Sequence, residues 1–145
     1  MLYHQRLVTT LSDTYCPFCQ LHPDEIVFEG KYFFVVPARA PYSPDHLLII
    51  PKRHVIFLHE LKKAEEKELR RLAETWNARL HQQHSGCVIL IRDAFAQGTV
   101  GKSINHFHLH IIPDCKIGAA NVHQRSFFSS GAYLREVKRI KKSYL

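Results

Sequence analysis

Long apolar runs are missing from these 145 residues. A run such as Leu47 to Ile50 falls far short of the 18 or more residues a membrane helix needs and reads as a buried strand. No membrane contact is expected. Met1-Leu-Tyr-His-Gln-Arg lacks the apolar stretch of a signal peptide, so a cytoplasmic location is expected. Cysteine is scarce, at four residues, which argues against a disulfide framework in such a compartment. No repeat, low-complexity tract or linker interrupts the chain, so residues 1–145 are expected to form one domain. Acid is also in short supply. Thirteen Asp and Glu against 20 Lys and Arg leave a formal charge of +7, and such a surface attracts phosphates and polyphosphates. Much of that excess sits in a basic C-terminal tail over about 131–145. It reads as a solvated face, so nucleic acid is not the expected partner.

The hydrophobic share of 46% is enough to bury a core. Two β-branched and aromatic runs, Ile26 to Phe28 and Tyr32 to Val36, flank Gly30-Lys31 and predict a hairpin. Three prolines within 37–44 mark a loop, and strand-like His46 to Pro51 follows. From about Leu61 to His81 the apolar spacing turns helical, through Leu61, Leu69, Leu72, Trp76 and Leu80. Val88 to Arg92 predicts another strand, Asp93 to Gly101 a loop, and Ile104 to Ile112 a cleanly alternating strand. Cys87 sits where a small buried residue is expected, and it and Cys115 are given no role. A short amphipathic helix over Tyr133 to Ile140 ends the pattern. The order predicts an α+β domain: an antiparallel sheet of about five strands, one long helix and a short C-terminal one.

His106-Phe-His-Leu-His110 is the most informative stretch. Period-two alternation puts His106, His108 and His110 on one strand face and Phe107, Leu109 and Ile111 on the other. Three imidazoles in a row are costly to bury without partners, so they line a polar site. The first and third Cα atoms would lie roughly 13 Å apart at about 3.3 Å per residue. One zinc ion, with bonds near 2 Å, can take neighbours but hardly all three. A bare surface row fits poorly on a strand with an apolar reverse face. Nucleophilic and acid–base chemistry at phosphorus is the remaining option, with a neutral imidazole attacking and its neighbours bonding to phosphoryl oxygens.

The run His106-Phe-His-Leu-His-Ile-Ile112 resembles the signature of the histidine triad (HIT) family at every position. Upstream, His46-Leu-Leu-Ile-Ile-Pro-Lys-Arg-His54 is similar to that family's second signature. Gly101-Lys102-Ser103 stands where the family has Gly-Gln-Ser or Gly-Gln-Thr. The resemblance runs from about Cys16 to Pro113. It implies a hydrolase or transferase acting on a phosphoramidate or phosphoanhydride of a nucleotide. His108 would form a covalent nucleotidyl–histidine intermediate, His110 would bond to the phosphoryl group, and His46 would orient the triad. It also implies a phosphate-binding set of Gly101, Lys102, Ser103, His108 and His110 on a catalytic strand over about 104–112, and a homodimer through the long helix and a strand edge.

Cys16-x2-Cys19 has the spacing of half a zinc site, or alternatively of a redox pair or two unrelated thiols. A redox pair should open a helix in a βαβ unit, which this pattern does not offer. Zinc-bearing bacterial relatives of the triad family complete the site with two histidines. The resemblance therefore implies structural zinc on Cys16, Cys19, His54 and His106, bound by an N-terminal segment over about 14–22.

Three positions depart from the family. Its ribose-binding Asp falls at Ala38, its Asn before the glycine loop at Phe95, and its Gln at Lys102. Asp45, Asp93 or Gln97 are the expected replacements; otherwise the substrate is not an ordinary purine nucleotide. The rival functions are a nucleotide-binding or interaction protein with little turnover, and a zinc-bearing nucleic-acid module.

Overall fold

A computed structural model describes residues 16–96, 100–118 and 125–145. Its strands are β1 (Phe28–Glu29), β2 (Phe33–Pro37), β3 (Leu47–Pro51), β4 (Cys87–Ile91) and β5 (Leu109–Pro113). Its helices are α1 (Lys63–Leu80) and α2 (Ser130–Tyr144), with 3-10 turns at Pro23–Glu25 and Leu58–Glu60. The five strands form one antiparallel sheet in the order β1-β2-β3-β5-β4. This is the expected α+β architecture.

The β1–β2 hairpin turns at Gly30-Lys31, as the glycine predicts. Buried Glu68 of α1 accepts the Lys31 and Tyr32 backbone N–H groups at 2.8 and 2.6 Å. A Cβ on Gly30 would meet Glu68 Oε1 at 3.0 Å, so the missing side chain lets the turn approach the helix. Helix α1 begins two residues after Leu61, because Leu61 N–H closes the preceding turn on Leu58 O and Lys62 N–H bonds to Glu65. Its Leu69, Leu72, Trp76 and Leu80 pack on one sheet face with Phe33, Val35, Leu47, Ile49, Leu109 and Ile111. Val36, Leu48 and Ile50 take the opposite face, packed with Phe18 and Leu21. His110 is paired in register with Leu48, so it shares that second face.

The strand expected over about 104–112 is shorter in the structure. The ladder begins at Leu109, not Ile104, and His106 and His108 lie on an approach segment outside it. That backbone bonds elsewhere: Phe107 N–H donates to Val55 O at 2.6 Å, and His106 N–H turns back to Ile104 O at 2.8 Å. Alternation survives, with Phe107, Leu109 and Ile111 all in the core.

The C-terminal region also differs. Residues 130–144 form a docked helix rather than a short helix in a basic tail. Ser129 caps it by accepting the Ala132 N–H, and its apolar stripe of Tyr133, Val137, Ile140 and Tyr144 runs four residues beyond Ile140. Asp45, at φ 68°, anchors the far end by accepting from Arg139, from the Tyr144 hydroxyl and from His84 Nε2 at 2.7 Å. Among the described residues no helix is long and apolar enough to cross a membrane.

Candidate active site

His46, His108 and His110 come together in the lining of a cleft on the second sheet face. The His108 and His110 ring centroids lie 4.8 Å apart, and those of His46 and His110 5.2 Å. All three are at least 92% buried, at 2, 5 and 8% exposure. Phe18 stands edge-on to His108, at 5.1 Å between centroids.

The hydrogen bonds define how these rings are protonated. His108 Nδ1 faces the His106 carbonyl at 2.8 Å, so it carries the proton and leaves Nε2 as a lone pair. The Tyr42 backbone N–H donates to His46 Nδ1 at 3.1 Å. A backbone N–H can only donate, so the His46 proton sits on Nε2, which donates to His110 Nδ1 at 3.0 Å. The His110 proton must then be on Nε2. That atom is buried and has no hydrogen-bond partner among the described residues. One lone pair and one unused N–H donor therefore sit side by side.

Burial, then the charge of nearby cations and imidazoles, keeps these rings neutral. Desolvation dominates at His108, lowered to about 4 with help from Lys102, His106 and Arg92. At His46, lowered to about 3, burial leads, followed by Arg125 and His108. His110 lies well below the usual histidine range for the same first reason, with His108, His46, Arg92 and Arg125 adding to it. Arg125 lies over the Tyr42 ring at 3.8 Å, and Arg92 bonds to the Tyr42 hydroxyl at 3.3 Å. The result is a group of neutral imidazoles beside cations that attract an anion.

Of the residues expected at the phosphate, Ser103, His108 and His110 line the cleft, while Gly101 and Lys102 do not. Gly101 takes φ 76°, a left-handed conformation suited to glycine, and turns the chain into this segment. Lys102 is 2% exposed and donates through Nζ to Ile56 O at 2.7 Å. Its charge reaches His108 from outside the cleft. Two of the three expected replacements for the missing polar groups are engaged elsewhere. Asp45 anchors α2, Asp93 Oδ1 accepts the Leu58 N–H at 2.8 Å, and Gln97 lies outside the described residues. Phe95 is 59% exposed and packs edge-on against Phe57, not in the cleft. Glu25, Arg39, Arg125 and Tyr133 line the cleft with no motif in the sequence to mark them. Phe18 is different: it stands inside Cys16-Pro-Phe-Cys19, a signal that sequence reading spent on the thiols alone.

Cys16, Cys19, His54 and His106 form a second cluster, their ligand atoms all within 4.8 Å of one another. His106 Nδ1 lies 3.4 Å from Cys16 Sγ, 3.5 Å from Cys19 Sγ and 3.1 Å from His54 Nδ1, while Cys19 Sγ lies 3.2 Å from His54 Nδ1. Bonds of about 2.3 Å to sulfur and 2.0–2.1 Å to nitrogen at tetrahedral angles require separations of roughly 3.3–3.8 Å. The cluster approaches that figure at every measured edge. His106 Nε2 donates to Pro51 O at 2.7 Å, which fixes the tautomer and leaves the Nδ1 lone pair toward the sulfurs. Burial, then the neighbouring Cys16, pushes the Cys19 thiol up to about 11, a pairing that a cation would reverse. The four residues fit a tetrahedral metal ion.

Residues 20–117 match the HIT domain, and the chain belongs to that family. It is 30% identical over 92 residues to the nitrilase and fragile histidine triad fusion protein NitFhit of Caenorhabditis elegans. That match covers 62% of this chain and only 20% of the relative, so the chain spans a small part of it. The NitFhit crystal structure superposes with a TM-score of 0.68 at 25% identity, covering 84% of this chain and 28% of that one. A bis(5′-adenosyl)-triphosphatase of Dictyostelium discoideum is 29% identical over 102 residues, 70% of this chain and 67% of the relative. A zinc-bound histidine triad family protein from Mycobacterium smegmatis shares the fold at a TM-score of 0.64 and 19% identity, covering 88% and 93% of the two chains.

Proposed function

We propose that the protein is a nucleotide hydrolase or transferase that works through a covalent nucleotidyl–histidine intermediate. The carrying observation is the tautomer chain: His108 offers a bare Nε2 lone pair, and His110 beside it offers an unused Nε2–H. The lone pair attacks phosphorus, the leaving group departs, and water then cleaves the N–P bond. The His110 N–H, with Ser103 on the cleft wall, stabilises the charge that develops on the phosphoryl oxygens. The substrate is a phosphoramidate or phosphoanhydride of a nucleotide, a class supported by the Dictyostelium relative's activity on an adenosyl polyphosphate. Zinc in the Cys16, Cys19, His54, His106 cluster is structural: four protein ligands leave no open position for substrate. β4 forms one edge of the sheet with Ile89 46% exposed, which supports homodimer formation through that edge.

The test is His108→Ala against adenosine 5′-phosphoramidate and diadenosine tetraphosphate. Turnover should fall by several orders of magnitude while the fold and the affinity for AMP hold. Intact-mass measurement of wild type quenched early should show one added nucleotidyl group, absent in the variant. Wild-type kcat in His108→Ala refutes the covalent route. Tight AMP binding with no turnover by wild type would favour a nucleotide-binding protein instead.

A further inference from the structure

The family contact positions Ala38, Phe95 and Lys102 place no acid in the cleft, yet the cleft has one. Glu25, from the 3-10 turn Pro23–Glu25, is the single carboxylate among the described residues that line it. Three features make it more than an incidental surface acid.

It is neutralised in place. Arg39 Nη2 donates to Glu25 Oε1 at 2.7 Å, with the two side chains 30 and 20% exposed. A bare carboxylate in a cleft that takes a phosphoryl group would repel its own substrate; a paired one keeps its acceptor oxygens without the net charge. It is also held from behind. The Arg39 guanidinium lies over the Tyr133 ring at 4.4 Å, and buried Tyr133 is itself tied by its hydroxyl to Pro37 O at 2.7 Å. Finally, Oε2 takes no hydrogen bond from the described residues, and Ala38 and Ala40, which line the same cleft, bring no polar side chain.

A preorganised acceptor of this kind suits hydroxyl donors, and carboxylates take the ribose hydroxyls of nucleotides in other folds for the same reason. We propose that Glu25, positioned by Arg39 and Tyr133, is the residue that reads the vicinal hydroxyls of the substrate's ribose in this cleft. The proposal rests on the nucleotide reading above and names the group that selects a ribonucleotide. It also gives α2 a role at the site, because Tyr133 belongs to that helix.

The experiment compares adenosine 5′-phosphoramidate with its 2′,3′-dideoxy counterpart, and AMP with dideoxy-AMP in calorimetric binding, on wild type and Glu25→Gln. The glutamine oxygen can still face Arg39, but its amide cannot accept a hydroxyl. Wild type should prefer the ribo compound by roughly tenfold or more in kcat/KM, mostly through KM. Glu25→Gln should bring that preference within about threefold and leave the dideoxy rate nearly unchanged. A purely structural Glu25 would slow both substrates alike, so an unchanged ribo-to-dideoxy ratio in a folded variant overturns the proposal. Equal wild-type affinity for AMP and dideoxy-AMP overturns it too while leaving the nucleotide reading intact. A wild type that binds and turns over none of these compounds overturns both.

Discussion

If the Tyr42–His46–His110 chain assigns the protons, His46 acts only through His110, and a double-mutant cycle can show it. His110→Phe removes the N–H donor itself. Loss of one such donor in a water-poor site costs about 2.7–4 kcal/mol, or 10²–10³ in kcat. His46→Phe keeps the donor but frees its tautomer, since His110 Nδ1 no longer accepts the bond now made at 3.0 Å. The penalty is then one neutral hydrogen bond's worth of preorganisation, about 0.5–1.5 kcal/mol, or roughly two- to tenfold. Once His110 is gone there is nothing left for His46 to orient. The double variant should therefore be no slower than His110→Phe, leaving a coupling close to the whole His46 effect. Single-turnover release of AMP from adenosine 5′-phosphoramidate measures all four enzymes, and thermal melts confirm that each is folded. Losses that simply add would mean that His46 contacts the substrate itself and would refute the relay.

Two further outcomes test the framework around the cleft. Both nitrogens of His84 face carboxylates, Asp45 at 2.7 Å and Asp114 at 3.0 Å, and although burial opposes it these bonds raise its pKa. A histidine raised on folding stabilises fully below its unfolded value of about 6.5 and loses that contribution as pH climbs through the folded value. The Tm should accordingly decline above about pH 6.5, by about 2–4 °C per kcal/mol lost, with a flatter profile in His84→Gln; parallel slopes in the two proteins would sink the idea. Cys16→Ser should lower zinc content from about one ion per chain and lower Tm with it, read by metal analysis and calorimetry. Unmutated protein that is fully stable and metal-free when purified without chelator would exclude a structural ion.

Legibility in the sequence followed the range of the signal. Period-two and period-3.6 patterns are local, so the sheet, helix α1 and the shared face of the triad were all readable to within a few residues. The start of β5 was not, because the segment before it trades ladder bonds for Val55 O and bends His106 toward the cysteines. Helix α2 was read short because Lys141-Lys142 break the apolar pattern, while Tyr144 continues it beyond them. Asp45 stood as a candidate replacement for the family's missing nucleotide contacts because a lone acid beside a signature histidine has no visible partner. Its three partners lie 39 to 99 positions away, on segments only the fold brings near. Glu25 failed to register for the converse reason: Pro-Asp-Glu in a polar stretch reads as a solvated turn, and nothing local announces Arg39 across from it.

His106 shows how the two clusters are joined. Its Nδ1 faces the sulfurs of Cys16 and Cys19, its Nε2 donates to Pro51 O, and its own carbonyl holds the His108 Nδ1 proton. A residue of the Cys/His cluster therefore also supplies the backbone atom that decides which nitrogen of His108 is bare. The same Cys-x2-Cys turn carries Phe18, whose ring stands edge-on to both His106 and His108 and also lines the cleft. Anchoring the turn to His54 and His106 constrains in one step the His108 tautomer and its apolar cover. That division explains why a row of three histidines need not share one task. The first gives its ring to the Cys/His cluster and its carbonyl to His108, the second presents a lone pair, and the third, set by His46, presents an N–H.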